Sequence, residues 1–338
     1  VIEPQGYASA GLLASSASQH VYIDQVHVFG LKAQADSKQF TGAFGSLVGD
    51  VSVFSRLTRC SVNDALVHLP DASPAGGLVS SLRTSSSVKG SLFSGSLTAL
   101  EKVGGISGEC YESGTTTECG VQQCHVQAGL TAVHTLGGVV GADNHTNISN
   151  NYVEGSLTAT GGDSWNGACV GGVIGSLSWK QGEGKSVKGN VVNLEAIHFD
   201  PDLERPNWAS AVSFETAHRI VGMTEYNDTE TERDGWLSDN YAVSTREPLF
   251  EGEVYAGHDG AEGATLAVSD LTQAFCQRIG FAYGQTADAP WLNGNDVPAL
   301  YFEQQLTGID EAPQATLGQR LTFSGQWISC PQGTIRLY

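Results

Sequence analysis

The chain repeats itself, and that constrains its fold more than anything else in it. The twelve residues Val88 to Ala99 (VKGSLFSGSLTA), Val121 to Ala132 (VQQCHVQAGLTA) and Ile148 to Ala159 (ISNNYVEGSLTA) align without a gap in their apolar and Leu-Thr-Ala positions. Before these twelve residues comes a glycine-led apolar pair, clearest as Gly138-Val139-Val140-Gly141. It recurs as Gly11-Leu12-Leu13, Ser46-Leu47-Val48-Gly49, Gly77-Leu78-Val79, Gly105-Ile106-Ser107-Gly108, Gly172-Val173-Ile174-Gly175 and Ile220-Val221-Gly222. Measured between the first apolar residues, at 12, 47, 78, 106, 139, 173 and 220, the steps are 35, 31, 28, 33, 34 and 47 residues. A period near thirty with loop-sized variation means an array of one supersecondary unit, each copy burying its apolar face against its neighbours.

Within the twelve-residue half the hydrophobic period is two. Val153, Gly155, Leu157 and Ala159 fall on one face of a strand, as do Val126, Ala128, Leu130 and Ala132, and Phe93, Gly95, Leu97 and Ala99. No apolar stripe of helical length lies between copies, so the helical and βα repeat families are excluded. What remains is an all-β chain, a parallel β-solenoid of about seven repeats stacked like to like. From strand spacing it would be roughly 30–35 Å long. The repeats span 7–36, 42–70, 74–100, 102–134, 135–162, 167–198 and 211–243, the first being the most degenerate. The paired glycines suit corners that need positive φ or close backbone approach. One residue does not fit: Asp64 occupies the slot of Gly95, Ala128 and Gly155, so either the chain bends there or the second repeat is out of register.

The pattern stops near residue 245, which divides the chain into repeats (1–245), a C-terminal cap (246–307) and a linker with a short, partial β-sandwich-like tail (308–338). In the cap, Ser269 or Asp270 is placed to start a short helix with Leu271, Phe275 and Ile279 on one face and Gly280 as its stop. Trp291, Pro298, Leu300, Tyr301 and Phe302 then supply bulk to cover the last repeat, whose edge is otherwise unpaired. The tail reads as short strands with turns at Ser324-Gly325 and Pro331-Gln332-Gly333.

Charge excludes one class of partner. The 338 residues carry 17 Lys and Arg against 36 Asp and Glu, a net charge of −19, with no basic cluster to meet a phosphate backbone, so no nucleic-acid partner is expected. The excess is uneven: residues 1–180 hold 13 acids and 8 bases, and 181–338 hold 23 and 9, which reads as a solvated C-terminal surface. No stretch approaches the roughly 20 apolar residues of a membrane-spanning helix. The chain begins at Val1 rather than Met, as it would if a leader had been either removed or left out of this sequence.

The seven cysteines show no CxxC and no zinc spacing. Cys60 and Cys124 hold the same position two repeats apart, roughly 10 Å at strand spacing, beyond the roughly 7 Å reach of a disulfide, so thiols are expected. Cys110 and Cys119 bracket the polar loop YESGTTTE and form the pair best placed to bridge.

The glycine-apolar-apolar-glycine element followed by a Ser-Asn-Asn-Tyr turn resembles the GLUG motif. It is carried best by Gly138 to Gly141 with Ser149 to Val153, and by Ile220 to Gly222 with Ser238 to Ala242. The resemblance covers roughly residues 7–245. GLUG repeats occur in secreted and surface-exposed bacterial proteins, adhesin-like proteins among them, so the resemblance implies a β-solenoid and an extracellular or cell-surface address. It brings no catalytic residues with it. The tail from Gly308 is similar, over about thirty residues, to the start of β-sandwich modules appended to such proteins.

Motifs for chemistry are scarce. There is no G-x-S-x-G, no HExxH and no complete phosphate loop: Gly184-Lys185-Ser186 has Trp179 where that loop needs glycine. His125 sits in the slot of Tyr152, which points to a structural role. Asp228, Glu230, Glu232 and Asp234 alternate along an insertion, with His258-Asp259-Gly260-Ala261-Glu262 as a second acidic run. These read first as solvated loops; as oxygen ligands they would hold Ca²⁺, the one cofactor the sequence suggests. A glycan-cleaving site on such a scaffold needs converging carboxylates, and among the positions flanking the inward residues only Glu154 is charged. A binding surface has more to draw on. Thr98, Thr131 and Thr158 would stack outward as a hydroxyl row. Trp165 and Trp179 lie in loops on either side of the sixth glycine-led strand, where exposed indoles would stack on sugar rings. The Asn-x-Ser/Thr sequons at Asn144, Asn147 and Asn227 read as accidental.

The resulting expectation is a monomeric, non-enzymatic, adhesin-like protein that binds an extracellular glycan or partner protein through its repeat surface. A polysaccharide lyase or hydrolase on the same scaffold and a structural spacer are the alternatives.

Overall fold

The computed structural model describes residues 9–112, 119–144, 146–161, 168–177, 186–199, 216–224, 236–243, 257–294 and 297–303, and the strands Thr322–Ser324 and Trp327–Ser329. It is mostly β with almost no helix, and its main sheets are parallel. Successive stretches of the chain each give one strand to the same four sheets in the same order. In the best-formed stretch these are Thr135–Gly137, Val140–Asn144, Asn147–Ser149 and Tyr152–Ala159. Each pairs with its counterpart one repeat earlier and one repeat later, Tyr152–Ala159 lying between His125–Ala132 and Val191–Phe199. The period read from sequence is thus the distance along the chain between hydrogen-bonded neighbours.

That register stacks like on like. Val126 pairs with Val153, Leu130 with Leu157 and Ala132 with Ala159, and all six side chains are buried. They meet Leu47, Leu78, Ile106, Val139, Val173 and Ile220, which each supply the first apolar side chain of a glycine-led element. Gly138 shows why glycine leads it. A Cβ there would lie 2.0 Å from the carbonyl oxygen of Gly172 and 2.8 Å from a methyl of Val153, so close approach, not positive φ, is what it supplies. Positive φ appears elsewhere, inside the long strand, where Gly155 sits at φ +104° with Ala128 O directly beside it.

Asp64 resolves as a bend. Phe93 pairs with Val62 and Gly95 with Ala65, leaving Asp64 as an extra, exposed residue at φ 53°. The bulge moves Ala65 and Val67 into the inward places, so the second repeat regains register instead of losing it. Glu195 is a second such insertion, between Leu194 and Ala196.

At the turn into the long strand, one position per repeat is polar and buried. Asn151, Asn190 and Asn240 are fully buried there and bond in series. Asn190 Oδ1 accepts from the backbone N–H (3.1 Å) and side-chain amide (2.9 Å) of Asn151, while Asn190 Nδ2 donates to Ile148 O (3.0 Å) and Asn240 Oδ1 (3.0 Å). Cys60, Ser91 and Cys124 hold the same position in earlier repeats: the Cys60 N–H donates to Ser91 Oγ, and the Cys124 N–H to Asn151 Oδ1. Cys60 and Cys124 are buried thiols, as the spacing predicts, and burial pushes both up to about 12.

The C-terminal segment departs from expectation. Ala264–Leu266 does extend the long sheet beside Tyr241–Val243. Beyond it the helix is Gln273–Arg278, capped by Thr272, whose hydroxyl accepts from the Phe275 N–H, and neither Ser269 nor Asp270 is its cap. The bulky residues that follow do not cover the last repeat. Leu271, Ile279, Phe281, Trp291, Leu300 and Phe302 pack sideways on Leu92, Tyr152 and Val191, the outward residues at the start of the long strands. The segment therefore runs back along the flank as a strap. Asn150 Nδ2 donates to Ile279 O (2.9 Å), the Ala282 N–H to Gln123 Oε1 (3.2 Å), Lys89 pairs with Asp288 (2.9 Å), and Phe302 reaches the ring of His27. The flank wins over the end because that strip of leucine, tyrosine and valine would otherwise face water. In the tail, Thr322–Ser324 and Trp327–Ser329 form an antiparallel pair. Among the described residues no helix is long and apolar enough to cross a membrane.

Candidate functional site

The outer face of the long sheet is where the sequence candidates can be placed. Register aligns Gln34, His68, Thr98, Thr131, Thr158 and His198 in one row. The expected threonine ladder is therefore real, its members half-buried, with histidines at its flanks. Two residues nearer the start of the strands runs a parallel row of small residues, Ser96, Gly129, Ser156 and Ala196. Beyond it comes a third row, Ser94, Gln127, Glu154 and Asn193. From Ser96 to Ala196 the middle row lacks bulk, Leu66 standing exposed at its near end, so this part of the face is a shallow lane edged by threonine hydroxyls on one side and by Ser94, Gln127, Glu154 and Asn193 on the other.

The strap forms the wall beside the third row, and an elaborate polar cluster lies where they meet. His125 is buried at the foot of the wall. Its Nε2 is 3.2 Å from Glu154 on the neighbouring strand, and its Nδ1 is 3.0 Å from Glu303 on the strap. The Tyr152 hydroxyl donates to Glu154 (3.0 Å) and accepts from the Asn193 amide (3.0 Å); the Leu300 N–H donates to Glu303 (2.6 Å). Tyr152 and Trp291 pack their rings near the imidazole.

Burial alone would push the His125 imidazole down, but the charge of Glu303 and the hydrogen bonds to Glu154 and Glu303 outweigh it, raising it from 6.5 to about 10. Burial acts the other way on Glu154, and His125 with Tyr152 and Asn193 holds its carboxyl below the usual range. The cluster is an imidazolium clamped between two carboxylates from elements far apart in sequence. Glu154, expected as an outward ligand-binding charge, is one jaw of this clamp. A second carboxylate does converge on it, which the sequence did not show: Glu303 lies 149 positions further along the chain and outside every repeat. Its only sequence signal was the equivalence of His125 with Tyr152, a polar ring in a slot that the strap covers.

The remaining candidates divide. Trp165 and Trp179, and the acidic residues Asp228, Glu230, Glu232 and Asp234, lie outside the described residues. Of the second acidic run, Glu262 is engaged by His218 and Arg219 on the glycine-led side of the last strands. Among the described residues no group of three or more His, Cys, Asp or Glu is placed to hold a metal ion. Asn147 is buried, its Oδ1 accepting from the Ser186 N–H, and so is no acceptor for a glycan in the folded chain. Cys110 and Cys119, the pair best placed to bridge, are both buried and their sulfurs are not bonded to each other in the structure. Set against known proteins, the chain matches no family model, no curated protein and no solved structure.

Proposed function

We propose that the stacked strands are turns of a β-solenoid of about seven repeats, and that the protein is a secreted or cell-surface, adhesin-like binding protein whose ligand lies in the lane on the long sheet. The observation that carries this reading is the register of the outward rows: hydroxyls repeat at strand spacing, roughly 4.8 Å, along a half-exposed face with a small-residue floor. A row of hydroxyls that both donate and accept suits a polyhydroxylated chain, and the lane's edges limit its width. The GLUG-like repeats support an extracellular setting for such a surface.

A glycan-cleaving enzyme is the second reading, favoured by the convergence of Glu154 and Glu303. The imidazole fills the space between those carboxylates, where a cleavage site would need the sugar, and this weighs the cluster toward holding the strap. The test is an array of glycans and host extracellular proteins probed with the whole chain, wild type beside Thr131→Lys. Binding that the substitution abolishes is the expected result. Binding that survives it rules out the lane, and turnover of any arrayed glycan moves the protein to the second reading.

A further inference from the structure

We infer that Cys110 and Cys119 form an intramolecular disulfide that closes the neck of an insertion in the repeat. The pairing register points to it. Cys110 pairs with Asp143 in the next repeat, and Gly120 pairs with Asn147, which puts Cys119 opposite Thr146. The Asn147 N–H donates to Cys119 O (2.9 Å), in keeping with that alignment. In that next repeat the chain goes from Asp143 to Thr146 in three steps; from Cys110 to Cys119 it takes nine, a difference of six residues. The insertion leaves and re-enters the stack at the same two positions.

What those positions do is visible one repeat later, where the Thr146 hydroxyl bonds directly to the Asp143 carboxylate. Side chains there point at each other across the corner, and the two cysteines occupy the equivalent places. All four residues are buried. The Cys119 thiol reaches back to the carbonyl oxygen of Tyr111, the neighbour of Cys110 (4.0 Å), and the Cys110 thiol is within hydrogen-bond reach of Thr146. A disulfide needs Cα atoms roughly 4.4–6.8 Å apart, and a corner across which the equivalent side chains of the next repeat bond directly brings its two positions close. Cys60 and Cys124, in their own column, stay two strand spacings apart.

The chemistry balances with a glutathione disulfide as oxidant. One cysteine thiolate attacks it, forming a mixed disulfide and expelling one glutathione thiolate; the second cysteine attacks the mixed disulfide and expels the other. Two protein thiols are oxidised and one glutathione disulfide is reduced to two thiols. Burial pushes the Cys110 thiol well up and closes both sulfurs off from solvent once the corner has formed, so the bond forms while the repeat is still assembling.

The test is to refold the whole chain from denaturant in reduced and oxidised glutathione, alkylate it, digest it without reduction and map the peptides by mass. A peptide pair joined through Cys110 and Cys119, released by dithiothreitol, with Cys60, Cys124, Cys169 and Cys276 alkylated, is the expected result. The melting midpoint should then rise by about 3 °C or more on oxidation, and a Cys110→Ser, Cys119→Ser double variant should lose that rise. Alkylation of both cysteines, a stable glutathione adduct on either, or a bridge from either to Cys330 overturns the inference, and the wild-type peptide map alone distinguishes these outcomes even if the variant does not fold.

Discussion

The strand stack and the strap obey different physics. Apart from insertions such as Asp64 and Glu195, residues of the stack have equivalents one repeat away, so its stability is a sum of similar neighbour contacts. The strap has no equivalents. It is held by one apolar cluster, one charged clamp and a few scattered polar contacts, so its residues each matter singly and its docking depends on pH. The stack has titratable contacts of its own, such as Glu109 between Lys102 and Arg83, but they are spread over separate repeats, whereas the strap concentrates its charge in one clamp.

Breaking the stack should cost most. Gly138→Val places carbon against the Gly172 carbonyl and the Val153 side chain, and a loss of about 4 kcal/mol or more is expected, read from chemical denaturation. Asn190→Ala removes an acceptor of two hydrogen bonds and a donor of two more, all buried, for a loss of about 3 kcal/mol. If either variant left stability unchanged, the columns would not be what aligns the repeats.

The clamp comes next. The His125 imidazole is raised from 6.5 to about 10, so its contribution is complete below 6.5 and drains away as pH rises through 10. Glu154 is depressed, so its contribution is complete above its ordinary 4.5 and is lost as pH falls through its lower folded value. The clamp's contribution to stability should therefore be greatest between about pH 4.5 and 6.5. His125→Phe should cost about 2 kcal/mol at pH 6 and flatten the decline between pH 6.5 and 10. Hydrogen exchange confined to 268–303 in that variant would show that the strap has loosened and the stack has not; exchange spread over the repeats would merge the two regions. Last, Lys89→Ala breaks an ion pair to a fully exposed Asp288, and only a marginal change in stability is expected by the same denaturation measurement.

How much of this was legible depended on whether a residue had siblings. Alignment of Leu130 with Leu157 and of Thr131 with Thr158 follows from the sequence, because a period repeated many times outweighs any single irregularity. Asp64 is visible there as a misfit, but the choice between a bend and a slipped register needed the pairing of Gly95 with Ala65. The asparagine column stands in the sequence as Asn151, Asn190 and Asn240, where it reads only as part of a turn motif; burial turns it into a ladder. Trp291 and Phe302 are recognisable as cap material, yet nothing in one copy of a segment says which surface it covers.

The sequence by itself determined the strand period, the inward face and the hydroxyl row, because a repeat one strand spacing thick must set equivalent residues beside each other. Tertiary structure alone decided that the C-terminal segment lies along the flank and brings Glu303 to His125. That contact joins residues 178 positions apart, with no periodic signal between them, and it is chosen by which exposed apolar strip the segment can bury.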